Sequence, residues 1–153
     1  MQLTIKVNGE DWTVEAAPAD VLLDVLREQL GVKSPKIGCE RGDCGSCTII
    51  LDERTVRSCL VLAVEADGHE ITTVEGLNYE GLSELQDLMV GNNSFQCGFC
   101  APGIVLAATE LLEHNPQPTR HDVQEALAGN LCRCTGYEPI IEAVLSAGKG
   151  GPS

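Results

Sequence analysis

The eight cysteines of this 153-residue chain constrain its fold more than any other feature. They fall into two sets of four, a first set of Cys39, Cys44, Cys47 and Cys59 and a second set of Cys97, Cys100, Cys132 and Cys134. Cysteine makes up about 5% of the chain, below the roughly 8–10% of small disulfide scaffolds. In a reducing compartment thiols stay free unless a metal binds them. Cysteine content therefore favours metal sites over disulfides, and the spacing must decide between them.

The first set has the spacing C-x4-C-x2-C, with Cys59 following after eleven further residues. This is the plant-type spacing for a [2Fe–2S] cluster. A loop around such a cluster must point backbone N–H groups inward, and Gly38, Gly42 and Gly45 supply the conformational freedom. Structural zinc is the alternative, but zinc sites usually pair two short C-x2-C segments. The first set is therefore predicted to bind one [2Fe–2S] cluster.

The second set combines C-x2-C at Cys97 and Cys100 with C-x-C at Cys132 and Cys134. This spacing alone leaves zinc open. Each pair, however, precedes a predicted helix, whose N-terminal N–H groups and dipole stabilise thiolates and a reduced cluster. A second [2Fe–2S] cluster is the preferred interpretation, and Gln96 beside it would be read from the sequence alone as a solvated or capping residue.

The charge balance excludes some classes of partner. The chain has 10 basic and 23 acidic residues, a net charge of −13, and no Lys/Arg cluster to follow a phosphate backbone. No apolar run approaches the roughly 20 residues of a membrane span, and the N-terminus alternates like a strand. We expect a soluble, cytoplasmic protein with no nucleic-acid partner and no membrane span.

Residues before about Gly76 show a β pattern. Apolar and polar residues alternate on both sides of Asn8-Gly9, a strong signal for a two-residue hairpin turn. Asp20 is predicted to cap a helix that stops at Gly31. Further strands are expected over 48–52, 55–65 and 70–73. The first half is thus predicted to be a small mixed sheet with one helix packed across it.

Residues after Gly76 are predicted to be helical. The start signals are capping residues and first-turn prolines, at Ser83, Pro102, Thr119 and Pro139. The third helix is expected to carry Leu131 on its inner face. The order helix, close cysteine pair, proline-initiated helix occurs twice. We therefore predict a four-helix bundle with pseudo-twofold symmetry, with both cysteine pairs at one end.

Three ordered motifs resemble the iron–sulfur subunit of the molybdenum hydroxylases, the xanthine oxidase family. They are C-E-R-G-D-C-G-S-C at 39–47, Q-C-G-F-C-A-P-G at 96–103 and A-G-N-L-C-R-C-T-G-Y at 128–137. The resemblance covers nearly the whole chain, and its departures, Ser34-Pro35 and Ser46, remove no cysteine. It implies an α+β fold, with a plant-ferredoxin-like β-grasp domain over 1–76 and a four-helix domain over 77–153.

The resemblance also implies cofactors and partners on other chains. The second set would hold the cluster nearer a molybdopterin, often the cytosine dinucleotide, on a large subunit, and Gln96 and Cys134 would touch the pterin. The first set would hold the cluster nearer FAD on a medium subunit, and two heterotrimers are expected to pair. The chain itself shows no nucleophile with a positioned base and no phosphate loop, so no catalytic residue is expected in it.

Two other functions are compatible with the residues. One is a free-standing two-cluster ferredoxin that shuttles electrons between enzymes. The other is a zinc-stapled structural module with no redox role. Copurification with a large molybdenum subunit separates the first alternative from the family function, and metal analysis separates the second.

Overall fold

The first half of the chain contains a mixed sheet. The computed structural model describes residues 1–78 and 81–148. Within them the strands are β1 (Gln2–Val7), β2 (Glu10–Glu15), β3 (Thr48–Leu51), β4 (Arg54–Arg57) and β5 (Glu70–Thr72). The sheet order is β2-β1-β5-β3-β4, with β1 and β5 parallel and the other neighbours antiparallel. The predicted small mixed sheet is confirmed.

The first hairpin follows directly from its turn residues. Asn8 and Gly9 have φ angles of 51° and 84°, the left-handed conformation that a two-residue turn of this kind requires. The turn sets the register that pairs Ile5 with Trp12. The alternation then buries Leu3, Ile5 and Val7 on one face of β1. The hairpin prediction is confirmed.

Two local predictions in this half were wrong. The strand expected over 55–65 ends at Arg57, because the chain turns through 3-10 segments at Ser58–Leu60 and Ala63–Ala66. The first turn brings Cys59 inward, where it is 9% exposed. Asp20 does not cap the following helix; its carboxylate accepts from Ala17 N–H at 2.8 Å instead.

The helices are α1 (Leu22–Asp24, continued by a π-helical segment at Val25–Gln29), α2 (Glu84–Gly91), α3 (Ala101–His114), α4 (Arg120–Leu127) and α5 (Glu138–Ala147). The capping boxes at Ser83 and Thr119 are both formed, because each hydroxyl accepts the N–H of the residue three positions on. Helix α4 ends at Leu127, however, and Leu131 is 54% exposed. The predicted inward position of Leu131 was wrong.

The two halves have separate hydrophobic cores. One lies between the sheet and α1 and includes Leu3, Ile5, Leu22, Leu26, Ile49 and Ile71. The other joins α2 to α5 and includes Ile104, Ala108, Val123, Leu127, Ile140 and Val144. Full burial of one such Leu or Ile side chain contributes roughly 1.5–3 kcal/mol. The chain is therefore a mixed α and β structure whose halves each exclude water independently.

No helix within 1–78 and 81–148 has both the length and the apolar character needed to cross a membrane.

Candidate metal centres

The loop of the first set directs backbone amides at sulfur. The N–H groups of Arg41, Asp43 and Cys44 donate hydrogen bonds to Cys39 Sγ at 3.4, 3.2 and 3.4 Å. These hydrogen bonds, that of Arg41 foremost, lower the pKa of Cys39 to about 6, because they stabilise the thiolate. Gly42, at a φ of 86°, gives the loop the turn that the hydrogen bonds require.

The inner side of the same loop is tightly packed. A Cβ atom at Gly38 would lie 2.6 Å from Cys44 Sγ, so only glycine fits there. Cys47 and Cys59 are buried at 2% and 9% exposure. Burial is the main cause that raises the pKa of Cys59 to about 11, and the neighbouring Cys47 thiol is the next largest cause. A metal that binds this thiol must displace its proton, so binding couples to deprotonation.

The second set is divided between two helix starts. Cys100 is the N-cap residue of α3, and Cys97 lies just before it. The N–H of Phe99, followed by the Cys134 thiol, lowers the pKa of Cys97. Burial is the main cause that raises the pKa of Cys100 to about 12, and the neighbouring Cys132 thiol is the next largest cause. The second set thus contains one thiol whose pKa is lowered by hydrogen bonds, Cys97, and one whose ionisation is opposed by burial, Cys100.

Tyr137 fixes the turn that carries Cys132 and Cys134. Its hydroxyl accepts the Cys132 N–H at 2.8 Å and donates to the Asn130 carbonyl at 2.8 Å. The Thr135 hydroxyl lies 3.3 Å from Cys132 Sγ. Neither Tyr137 nor Thr135 was predicted from the sequence to have a role, although both lie within the third motif. The sequence signal that could have indicated this role is the position of Tyr137, five residues after Cys132.

The structure brings the four thiols of each set together as two contacting pairs. Side-chain interactions join Cys39 with Cys44, Cys47 with Cys59, Cys97 with Cys134, and Cys100 with Cys132. The Sγ atoms of Cys97 and Cys134 are 3.6 Å apart. Charge interactions also connect the pairs, Cys39 with Cys59 and Cys97 with Cys132. Within the described ranges, no three His, Cys, Asp or Glu side chains are grouped to hold a single ion.

Two pairs per set fit a two-iron cluster better than a zinc ion. In a [2Fe–2S] cluster each iron binds two cysteine thiolates, whereas structural zinc draws four ligands to one point. All eight cysteines are free thiols, so the alternative of four disulfides is not supported. The residues present therefore fit two [2Fe–2S] clusters.

The two sets differ in their access to solvent. Cys97 and Cys134 are exposed, as is Gln96, which precedes Cys97 in the chain. In the first set Cys39 is partly exposed, while Cys47 is buried. The second set therefore presents one thiol pair on the surface, beside Gln96, and keeps its other pair further inside.

A polar seam joins the loops of the two sets. The Leu131 N–H donates to the Cys44 carbonyl at 2.8 Å. The Asn130 amide donates to the Gly45 carbonyl at 3.2 Å and to the Thr48 hydroxyl at 3.1 Å. Cys44 and Cys132, one from each set, are thus separated by a single hydrogen bond and one residue. No sequence pattern predicted this seam.

Arg57 and Gly103 complete the seam. The Arg57 guanidinium donates to the Thr48 hydroxyl at 3.0 Å and to the Gly129 carbonyl at 2.8 Å. A Cβ atom at Gly103, in the first turn of α3, would lie 2.5 Å from the Gly45 carbonyl oxygen. The absence of a side chain there lets α3 approach the loop of the first set.

Comparison with known proteins agrees with this geometry. Residues 5–77 match a family described as a 2Fe-2S iron-sulfur cluster binding domain, and residues 73–145 match a [2Fe-2S] binding domain. The chain is 50% identical to the nicotine 6-hydroxylase small subunit of Paenarthrobacter nicotinovorans, over 96% of this chain and 89% of that protein. It is 43% identical to the xanthine dehydrogenase iron-sulfur-binding subunit of Escherichia coli O157:H7, over 94% and 91%.

A solved structure shows the same fold. Quinoline 2-oxidoreductase from Pseudomonas putida 86 superposes with a TM-score of 0.92 at 48% identity, over 95% of this chain and 90% of that one. Paired thiols, amide-lined loops and two matched domains define a protein that carries two [2Fe–2S] clusters and transfers electrons. The chain belongs to the small iron–sulfur subunits of the molybdenum hydroxylase, or xanthine oxidase, family. It is an electron-transfer subunit of an oxidoreductase.

Proposed function

We propose that this subunit passes electrons between a molybdopterin centre on a large partner subunit and FAD on a medium partner subunit. The observation that carries the proposal is the arrangement of eight thiols in two sets, each made of two pairs, with the loops of the two sets hydrogen-bonded to each other. Such a seam would hold two redox groups close together in one chain. Electron transfer between the two sets would then require no catalytic side chain in the polypeptide between them.

We propose the first set and the second set as the ligands of one [2Fe–2S] cluster each. A bound cluster supplies a site that gains and loses one electron at a time. The amides of Arg41, Asp43 and Cys44 would hold the charge of the first site in place. Tyr137 would keep the Cys132 turn rigid, so that its thiols move little between oxidation states.

The exposed edge of the second set is the proposed contact with the pterin. Gln96, Cys97 and Cys134 are all exposed there, so a partner's cofactor can reach them without a change in this chain. Gln96 has an amide that can donate to and accept from a pterin ring. Cys134 would then be both an iron ligand and the exit for electrons. The molybdopterin, as its cytosine dinucleotide, would be bound by the large subunit, whose pocket selects the substrate.

We also propose the finer description of the fold. The separate cores support a plant-ferredoxin-like β-grasp domain over 1–76 and a second domain over 77–153; residues 79–80 and 149–153 of the latter lie outside the described residues. Contacts of α2 with α5 and of α3 with α4 support a four-helix bundle with pseudo-twofold symmetry. One cysteine pair of the second set precedes α3 and the other precedes α5, so these two helices would be equivalent under the pseudo-twofold symmetry.

The proposed assembly is a cytoplasmic dimer of heterotrimers. Relatives are named as a small subunit and an iron-sulfur-binding subunit, which implies larger partners in those complexes. A reducing compartment suits eight free thiols. No nucleic-acid partner is proposed, because the net charge of −13 would repel phosphate.

An untagged native preparation tests the proposal. The chain is expected to copurify with a large subunit that contains molybdenum and a medium subunit that contains flavin, and to carry about four irons and four sulfides per chain. Isolation of the chain alone, with both clusters, would favour a free-standing ferredoxin. A colourless preparation that contains zinc in place of iron would refute the redox role altogether.

A further inference from the structure

Lys36 belongs to the loop of the first set but extends towards the second set. Its backbone N–H donates to the Ser46 carbonyl at 2.8 Å, which fixes this part of the chain beside Cys47. Its side chain is half-buried. The residue has no role in the functions assigned above.

The Lys36 ammonium is held against the segment between two second-set cysteines. Its Nζ atom donates to the Phe99 carbonyl at 3.3 Å and to the Ser34 carbonyl at 3.4 Å. It also lies 5.3 Å from the centre of the Phe99 ring, within the range of a cation–π interaction. Phe99 directly precedes Cys100, so the charge sits at the backbone of the second set.

Groups of both signs of charge surround the Lys36 ammonium. Burial, followed by the nearby Arg27, lowers the pKa of Lys36, and charge interactions with Glu75, Cys100 and Cys97 oppose this shift only in part. The second set has Arg133 between Cys132 and Cys134 as a cation of its own. Lys36 brings one to it from the other domain.

We propose that the positive charge of Lys36 raises the reduction potential of the second-set cluster. The inference rests on the proposed function, because it requires iron in that set. Reduction adds one electron to the cluster and therefore one negative charge. A fixed ammonium nearby stabilises the reduced form more than the oxidised form. The side chain thereby makes the potential of one cluster depend on the loop that holds the other.

The test is an EPR-monitored redox titration of the purified complex. Lys36→Gln removes the charge, Lys36→Met removes the charge and the hydrogen bonds, and Lys36→Arg keeps the charge. The matched control is Lys33→Gln, because Lys33 is exposed and its Nζ donates to Arg27 O at 3.1 Å, away from both sets. Variants of one ligand in each set assign the two signals.

The expected result is a shift of the second-set signal alone. At a fixed solution potential the ratio of reduced to oxidised second-set cluster should fall roughly three- to tenfold in Lys36→Gln and Lys36→Met, the size expected for one partly screened charge. Lys36→Arg and Lys33→Gln should stay close to wild type. The first-set signal should titrate unchanged in all four variants.

Three results would overturn the inference. One is a shift below twofold in both neutral variants; another is an equal shift in Lys33→Gln. The third is loss of the second cluster from both neutral variants with retention in Lys36→Arg, which would make the role structural. A wild-type chain without iron would refute the proposed function instead, so iron content distinguishes the two failures.

Discussion

Replacing Asn130 with alanine should weaken the seam between the two domains. The side chain is 3% exposed and donates to the Gly45 carbonyl and the Thr48 hydroxyl at 3.2 and 3.1 Å. Each such hydrogen bond contributes roughly 1 kcal/mol net, and an unsatisfied buried partner costs roughly 1–3 kcal/mol more. The partners of Asn130 decide whether the additional cost applies.

Both partners keep other hydrogen bonds in the variant. The Gly45 carbonyl still accepts from the Thr48 hydroxyl at 2.6 Å, and the Thr48 hydroxyl still accepts from Arg57 at 3.0 Å. The additional desolvation cost is therefore largely avoided. We expect Asn130→Ala to lower the free energy of unfolding by about 2 kcal/mol, the sum of two hydrogen bonds.

The assay is thermal unfolding of the iron-loaded chain, followed by circular dichroism without oxygen. A chain of this size shifts its Tm by roughly 2–4 °C per kcal/mol, so a decrease of about 4–8 °C is expected. Asn92→Ala is the matched control, because Asn92 is exposed at the end of α2. Iron content should stay at the wild-type level. A Tm within 1 °C of that control would show that the seam does not stabilise the fold.

Three further predictions concern iron and pH. Cys134→Ser should abolish the EPR signal of the second set and leave that of the first set; loss of both signals, or of neither, would contradict the ligand assignment. Removal of iron by a chelator should lower the Tm, because cluster binding contributes to folding free energy, and an unchanged Tm would contradict it. Burial opposes ionisation of Glu75, but hydrogen bonds from Ser34 and Thr73 lower its pKa overall. The ionised Glu75 therefore contributes to the free energy of unfolding above pH 4.5, and this contribution is lost as the pH falls further. The Tm difference between wild type and Glu75→Gln should shrink below that pH. A difference independent of pH would contradict this prediction.

Local signals predicted most of the secondary structure. The Asn8-Gly9 turn and the capping residues Ser83 and Thr119 act through their own backbone or the next three residues, so the sequence suffices to identify them. Helix α3 likewise begins next to Pro102, as predicted. These features need no information about the rest of the molecule.

The failed predictions depended on contacts between distant segments. The strand expected over 55–65 breaks at Ser58, because Cys59 turns inward to meet Cys47, which no local pattern indicates. Leu131 is apolar and was placed in a core, yet its N–H is used by the Cys44 carbonyl and its side chain is exposed. The alternation of apolar and polar residues along the chain does not indicate contacts between distant segments.

The candidate sites were predicted as far as the cysteines and no further. Spacing predicted both sets, and the structure brings the thiols of each set into pairs, but the residues that link the sets are ordinary in the sequence. Lys36, Arg57 and Asn130 have roles only because chain segments 63 to 85 residues apart meet there. Their function lies in a juxtaposition that a linear pattern does not contain.

The polar seam has a consequence for how this protein tolerates change over evolutionary time. It is built from main-chain groups, the polar side chains of Thr48, Arg57 and Asn130, and Gly103, and neither hydrophobic core takes part in it. Substitutions among the aliphatic residues of either domain can therefore accumulate without altering the spacing between the two metal centres. The link between the two cysteine sets thus depends on a few polar contacts outside the cores and not on the packing inside them.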